Sequence, residues 1–91
     1  MTSWPTTTEY GVTYDLPNLL STLKHHTQWT PIKAWLLTAI DTRLSQIGVG
    51  IPLPNELLSA KWTLDRVTQL LAMATISQLT DMRVYIDYMA T

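Results

Sequence analysis

Apolar residues recur at helical spacing through most of this chain. The first such segment follows Asp15, which can cap a helix, and Pro17 is tolerated in a first turn because its missing N–H would be unpaired there. Four leucines share one face of the predicted helix: Leu16, Leu19, Leu20 and Leu23. We predict that Lys24, His25 and His26 fall in the last turn of this helix, where positive charge is favoured by the exposed carbonyls.

A second helical pattern begins at Thr30-Pro31, with the threonine as predicted cap and the proline at the first helical position. Its apolar stripe has a helical period and is widened on one side: Ile32, Leu36, Ile40, Leu44 and Ile47, with Trp35 and Ala39. Gly48 is the predicted end. Residues 48–54 then alternate chain breakers with apolar residues, which predicts an ordered connector that is neither helix nor central strand.

The last third of the chain predicts a short helix capped by Asn55 and a long final helix capped by Thr63, with a bend at 61–63. The apolar face of the final helix drifts along its length, so that one helix would contact two surfaces. Its tail, 82–89, is ambiguous because both helical and alternating periods fit the apolar residues. We predict a helix there.

Residues 1–15 have a different composition, with clustered threonines, Pro5 and Gly11, which favours extended chain. The even positions from 10 to 16 are apolar, the alternation typical of a strand with one apolar face: Tyr10, Val12, Tyr14 and Leu16. We predict an extended arm that either reaches a neighbouring subunit or folds back over its own helices.

These elements predict an all-α fold, a small bundle of three to four helices in residues 16–91 preceded by the extended arm at 1–15. The alternative is an α+β fold in which the two termini supply a short two-stranded sheet. A single domain is expected because 91 residues lie well below the length at which chains split into two.

Composition changes the picture by pointing to association. Only 14% of the residues are charged, against roughly 25% in a typical globular chain. The chain has four tryptophans and no phenylalanine, and large amphipathic rings are enriched at protein interfaces, although they also fill small cores. The net charge is −1, and the acidic and basic residues are spread along the chain instead of forming runs. This argues against nucleic acid and anionic membranes as partners.

Candidate chemistry is sparse. His25 and His26 are adjacent and would point about 100° apart on a helix, so they do not form a two-ligand metal face. The serines have no nucleophile-elbow context, the carboxylates form no pair among apolar neighbours, and the chain has no cysteine. We predict no enzymatic activity, no cofactor, no metal site and no small-molecule substrate.

The function that this pattern favours is that of a structural or assembly protein, either a homo-oligomer or a subunit of a larger particle such as a virion or phage-like assembly. The predicted contacts with a protein partner are Trp4, Tyr10, Tyr14, Met82, Tyr85, Ile86 and Met89. One alternative is a small inhibitory or regulatory protein that binds one partner through a helical face. A third is a DNA-binding regulator that uses the cluster Lys24, His25 and His26 with nearby Lys33.

The expected location is the cytoplasm, or a virion. The first residues lack the basic stretch and apolar core of a signal peptide, and no apolar run approaches the roughly 20 residues that cross a bilayer.

Overall fold

The computed structural model describes residues 4–45 and 52–89. Within these ranges the chain forms four α-helices, and the predicted helical bundle is confirmed. A β-hairpin precedes the helices, and a 3-10 helix leads into the third of them. The bounds are β1 (Thr7–Glu9), β2 (Val12–Tyr14), α1 (Leu16–Lys24), α2 (Trp29–Leu44), the 3-10 helix (Asn55–Ala60), α3 (Lys61–Met73) and α4 (Ile76–Tyr88).

Helix α1 begins as its sequence predicts, but it ends at Lys24 with His25 as its C-cap, so His26 lies beyond the helix. Asp15 is in extended conformation and its Oδ1 accepts a hydrogen bond from the backbone N–H of Asn18 at 2.9 Å. All four leucines of the predicted face are buried. The cap and the apolar period therefore agree, and α1 has one buried and one polar face.

Helix α2 begins one residue before the predicted Thr30 cap, so that prediction is wrong. The N-cap is Gln28, which makes no side-chain capping bond. Trp29 is buried, and its N–H donates to the carbonyl of His26, which continues the preceding turn into the helix. The stripe is confirmed as far as the buried Ile40 and the half-buried Leu44. The predicted positions 47 and 48 lie outside the described residues.

The predicted caps Asn55 and Thr63 are also displaced. Asn55 is the first residue of the 3-10 helix, and α3 begins at Lys61 without a side-chain cap. The two helices join directly, because the N–H of Lys61 donates to the carbonyl of Leu58 and so extends the turn. The bend predicted at 61–63 is replaced by this junction.

The predicted long final helix is two helices. Ala74 is extended and ends α3, and Thr75 starts α4 with a reciprocal capping box. Thr75 Oγ1 accepts from the N–H of Gln78 at 3.1 Å, and Gln78 Oε1 accepts from the N–H of Thr75 at 2.9 Å. Two otherwise unpaired donors are thereby satisfied, which stabilises the break. The tail is helical through Tyr88, as predicted.

A two-stranded sheet is present, but both of its strands come from the arm. Glu9 pairs with Val12 across a two-residue turn in which Tyr10 and Gly11 have φ of 53° and 78°. Positive φ at both central positions is typical of the hairpin turn that matches strand twist. Residues 82–88 are helical and are not part of the sheet.

The core is entirely apolar among the described residues. Helix α4 packs along α2, and α1 packs along α3. No polar or charged side chain of the described ranges is buried. The interior therefore stabilises the fold by apolar packing, and the polar groups of the described residues lie at the surface.

Candidate protein-interaction surfaces

Helix α4 is apolar on two sides. Its inner side buries Leu79, Met82 and Ile86. Its outer side carries residues four positions apart, which lie along one ridge of a helix. We call them the α4 ridge: Ile76, Thr80, Val84 and Tyr88. The exposed fractions are 54% for Ile76, 64% for Val84 and 92% for Tyr88. A helix that is apolar on both sides is expected to be buried on both, so the outer side lacks a covering surface.

The ridge itself carries no charged side chain. The basic residue of α4, Arg83, is turned toward α2, where its Nε lies 2.6 Å from Asp41 Oδ1. The hydrogen bond and the charge of Asp41 raise the pKa of Arg83, and the charge of Asp87 adds to this. Asp81 and Asp87 are exposed on the same helix. The ridge is therefore uncharged and apolar except at Thr80, and its margins are acidic.

A second surface joins the hairpin to α3. Trp62 is 47% exposed and stands edge-to-face with Tyr14, their ring centroids 5.2 Å apart. The guanidinium of Arg66 lies 5.0 Å from the centroid of the Trp62 ring. Arg66 Nη2 donates to Glu9 Oε1 at 3.3 Å, and Arg66 Nε lies 2.7 Å from Glu9 Oε2 without the orientation of a hydrogen bond. This arm–α3 cluster (Glu9, Tyr14, Trp62 and Arg66) holds the hairpin against its own chain.

The tip of the hairpin is a further exposed feature. Tyr10 is 96% exposed and has left-handed backbone geometry. This conformation is uncommon for a residue with a large side chain, and glycine or asparagine adopts it at lower cost. Val12, beside it, is half exposed. The folded chain thus presents an aromatic ring that contacts little of its own surface.

Of the predicted contact residues in the arm, the structure exposes one and packs the others against the helices of the same chain. Tyr10 is exposed, whereas the other arm residues lie against helices: Tyr14 against Trp62, and Trp4 edge-to-face with Tyr85 at 5.4 Å. The arm therefore contacts its own chain at both points.

The predicted contacts on α4 fall mainly on its inner side. Met82 and Ile86 are fully buried in the core, and Met89 packs partly against it. A partner cannot reach Met82 or Ile86 while the chain is folded, so both are core residues. Tyr85 is partly exposed. The ridge residues Ile76, Val84 and Tyr88 were not predicted as contacts, although Val84 and Tyr88 belong to the alternating pattern of the tail.

The lysines of the DNA-binding hypothesis have different surroundings. Lys24 is exposed at the end of α1. Lys33 is half-buried, and its Nζ donates to the backbone carbonyl of Met89 beyond the end of α4. One of the two is therefore engaged within the fold.

A serine–histidine contact joins the α1–α2 turn to the 3-10 helix. His26 Nδ1 accepts the backbone N–H of Gln28 at 3.0 Å, so neutral His26 carries its proton on Nε2. Nε2 lies 3.2 Å from Ser59 Oγ, which in turn donates to Gln28 Oε1 at 3.3 Å. A histidine that activates a serine must accept its proton, whereas this one donates. The contact therefore fastens two segments together.

In residues 4–45 and 52–89, no three His, Asp or Glu side chains are grouped in a way that could hold a metal ion. None of the helices in the same ranges has the length and apolar content needed to cross a membrane. Comparisons with protein-family models, with curated proteins and with solved structures find no match for this chain.

Proposed function

We propose that this chain is a non-enzymatic assembly protein that associates with further copies of itself, as a homo-oligomer or as a subunit of a larger particle. The observation that carries the proposal is the α4 ridge, an apolar row left in water on a helix whose other side is buried. The largest apolar patch on a monomer is commonly about 300–600 Å² and is often functional.

The magnitude of the apolar gain favours association that depends on concentration. Fully burying one large apolar side chain stabilises by about 1.5–3 kcal/mol. Ile76 and Val84 are already partly covered, whereas Tyr88 is almost fully exposed. The six side chains of a two-copy contact therefore give a gross gain on the order of 10 kcal/mol. Bringing two proteins together costs about 4–15 kcal/mol. The two values are similar, which favours reversible association over an obligate complex.

Low charge supports the same proposal. With a net charge of −1, two copies repel each other little at long range. Exposed threonines supply polar surface without charge, as at Thr80 on the ridge. Copies can therefore approach without a large electrostatic cost.

The test is the absolute mass of the full chain, measured by light scattering after size exclusion over a hundredfold range of concentration. A multimer, or a mass that rises with concentration, would support self-association. A monomer at every concentration would overturn it.

A second candidate function, binding of one distinct protein, is favoured by the hairpin tip. An exposed aromatic ring on a backbone with positive φ is suited to insertion into an apolar pocket, since strained residues concentrate at functional sites. The matched variant is Tyr10→Asn, because asparagine keeps the turn and removes the ring. In a pull-down, a distinct protein that binds the wild-type chain but not Tyr10→Asn would support this function. Equal retention by both would count against it.

A further inference from the structure

We propose that the α4 ridge is the contact between two copies of this chain, which pack their α4 helices antiparallel about a two-fold axis passing between Thr80 and Val84. This inference rests on the proposed self-association and assigns to it a surface and an arrangement.

The area of the ridge fits one half of a small dimer interface. If an exposed aromatic side chain contributes about 200 Å² and the smaller ones less, the ridge residues together expose roughly 450 Å². The margins next to them, which include Ser77 and the partly exposed Tyr85, bring this to about 600–700 Å² per copy. Two copies would bury about 1,200–1,400 Å², at the lower end of the 1,200–2,000 Å² typical of specific interfaces.

The spacing of the ridge suits a contact with itself. Its four members are placed symmetrically about position 82, so an antiparallel copy sets Ile76 opposite Tyr88 and Thr80 opposite Val84 of the second copy. Side chains four apart form the ridges that interdigitate most often when two helices pack, with the axes crossing at about 50°. The small Thr80 is then opposite a branched residue, and the large Tyr88 covers the end at Ile76.

The antiparallel direction follows from electrostatics. The N-terminus of a helix is partly positive and its C-terminus partly negative, so antiparallel packing places unlike ends together. Arg83 is engaged with Asp41, and the ridge brings no cation of its own to the contact. The carboxylates Asp81 and Asp87 stay at the solvated margins of the contact.

Cysteine cross-linking tests the arrangement directly, because the chain has no cysteine of its own. Thr80→Cys and Val84→Cys are prepared separately, mixed in equal amounts and oxidised in a thiol–disulfide buffer. Both positions are exposed, so neither change removes core contacts. Trypsin cuts after Arg83 and separates the two positions, so mass spectrometry identifies which cysteines have joined.

We expect the 80–84 disulfide between copies to form at least tenfold faster than the 80–80 or 84–84 disulfide. The matched control is Ser21→Cys on the exposed side of α1, which should cross-link only at the rate of random collision. Faster 80–80 and 84–84 linkage would overturn the antiparallel arrangement. Cross-linking no faster than that of Ser21→Cys, in a chain that light scattering finds multimeric, would overturn the α4 interface and leave self-association standing. A chain that is monomeric throughout would overturn both.

Discussion

Helices α1 and α4 bury apolar residues in the same core, yet their outer sides differ. The outer side of α1 is polar and is suited to water, with Asn18, Ser21 and Thr22 exposed. The outer side of α4 exposes Val84 and Tyr88 at the corresponding place. The periodicity of α1 is that of a helix with one buried face, whereas α4 has two apolar faces and the chain covers one of them.

This difference separates two uses of apolar residues in one small domain. On the inner sides of both helices they stabilise the fold. On the outer side of α4 they add little to the fold, since their surface stays in water, and they are available to a second molecule. The comparison predicts that the two helices respond alike to changes on the inner side and differently to changes on the outer side.

The largest expected effect is on the inner sides. Leu20→Ala in α1 and Ile86→Ala in α4 each remove a fully buried side chain and leave a cavity. Each change should lower the free energy of unfolding by about 2–5 kcal/mol. Urea denaturation followed by circular dichroism measures both. A loss below about 1 kcal/mol for Ile86→Ala, beside a full loss for Leu20→Ala, would mean that α4 is docked less firmly than α1.

The next largest effect is expected at the helix caps, where the corresponding changes in α1 and α4 should lower stability by similar amounts. Asp15→Ala and Thr75→Ala each remove a side-chain acceptor for a first-turn N–H, and each should cost about 1 kcal/mol. Gln78→Ala removes the other half of the capping box and is expected to cost less, because the Thr75 hydroxyl still caps the helix. Thr22→Ala, a change in the exposed part of α1 away from the cap, is the control. Equal losses for Thr22→Ala and the cap variants would contradict a capping role.

The inner side of α1 could be predicted from the sequence because the apolar period and the cap agree there. The leucine stripe of α1 and the Asp15 cap were both predicted and are confirmed. The break before α4 was missed, although its signal is present: Thr75 is followed three residues later by Gln78, the spacing of a capping box. The apolar residues Ala74 and Ile76 on either side of Thr75 concealed that signal, because they also fit one uninterrupted helix. Strand β1 was missed as well, because its three polar residues show no apolar alternation.

The candidate surface was harder to predict for a physical reason. Both sides of α4 are apolar, so periodicity cannot decide which of them meets the core. The prediction placed Met82 and Ile86 on the contact surface, but packing against α2 buries them and leaves Val84 outside. The choice depends on the angle at which α4 leaves the Thr75 turn, a tertiary property that no local pattern contains.

The smallest expected effect on the fold itself comes from the outer sides, and it is the one that separates the two helices. Ser21→Lys and Val84→Lys both place a charge on an exposed position, and each should change the unfolding free energy of the monomer by no more than about 0.5 kcal/mol.

Self-association through α4 should raise the free energy of unfolding by an amount that grows with protein concentration, because binding stabilises the folded state. Over a hundredfold range of concentration, the Tm of the wild-type chain and of Ser21→Lys should therefore rise on the order of 5 °C. That of Val84→Lys should stay constant, because each lysine would bring an unpaired charge into the contact opposite Thr80 of the other copy. A Tm that rises equally in both variants would show that the copies associate through a surface other than the α4 ridge.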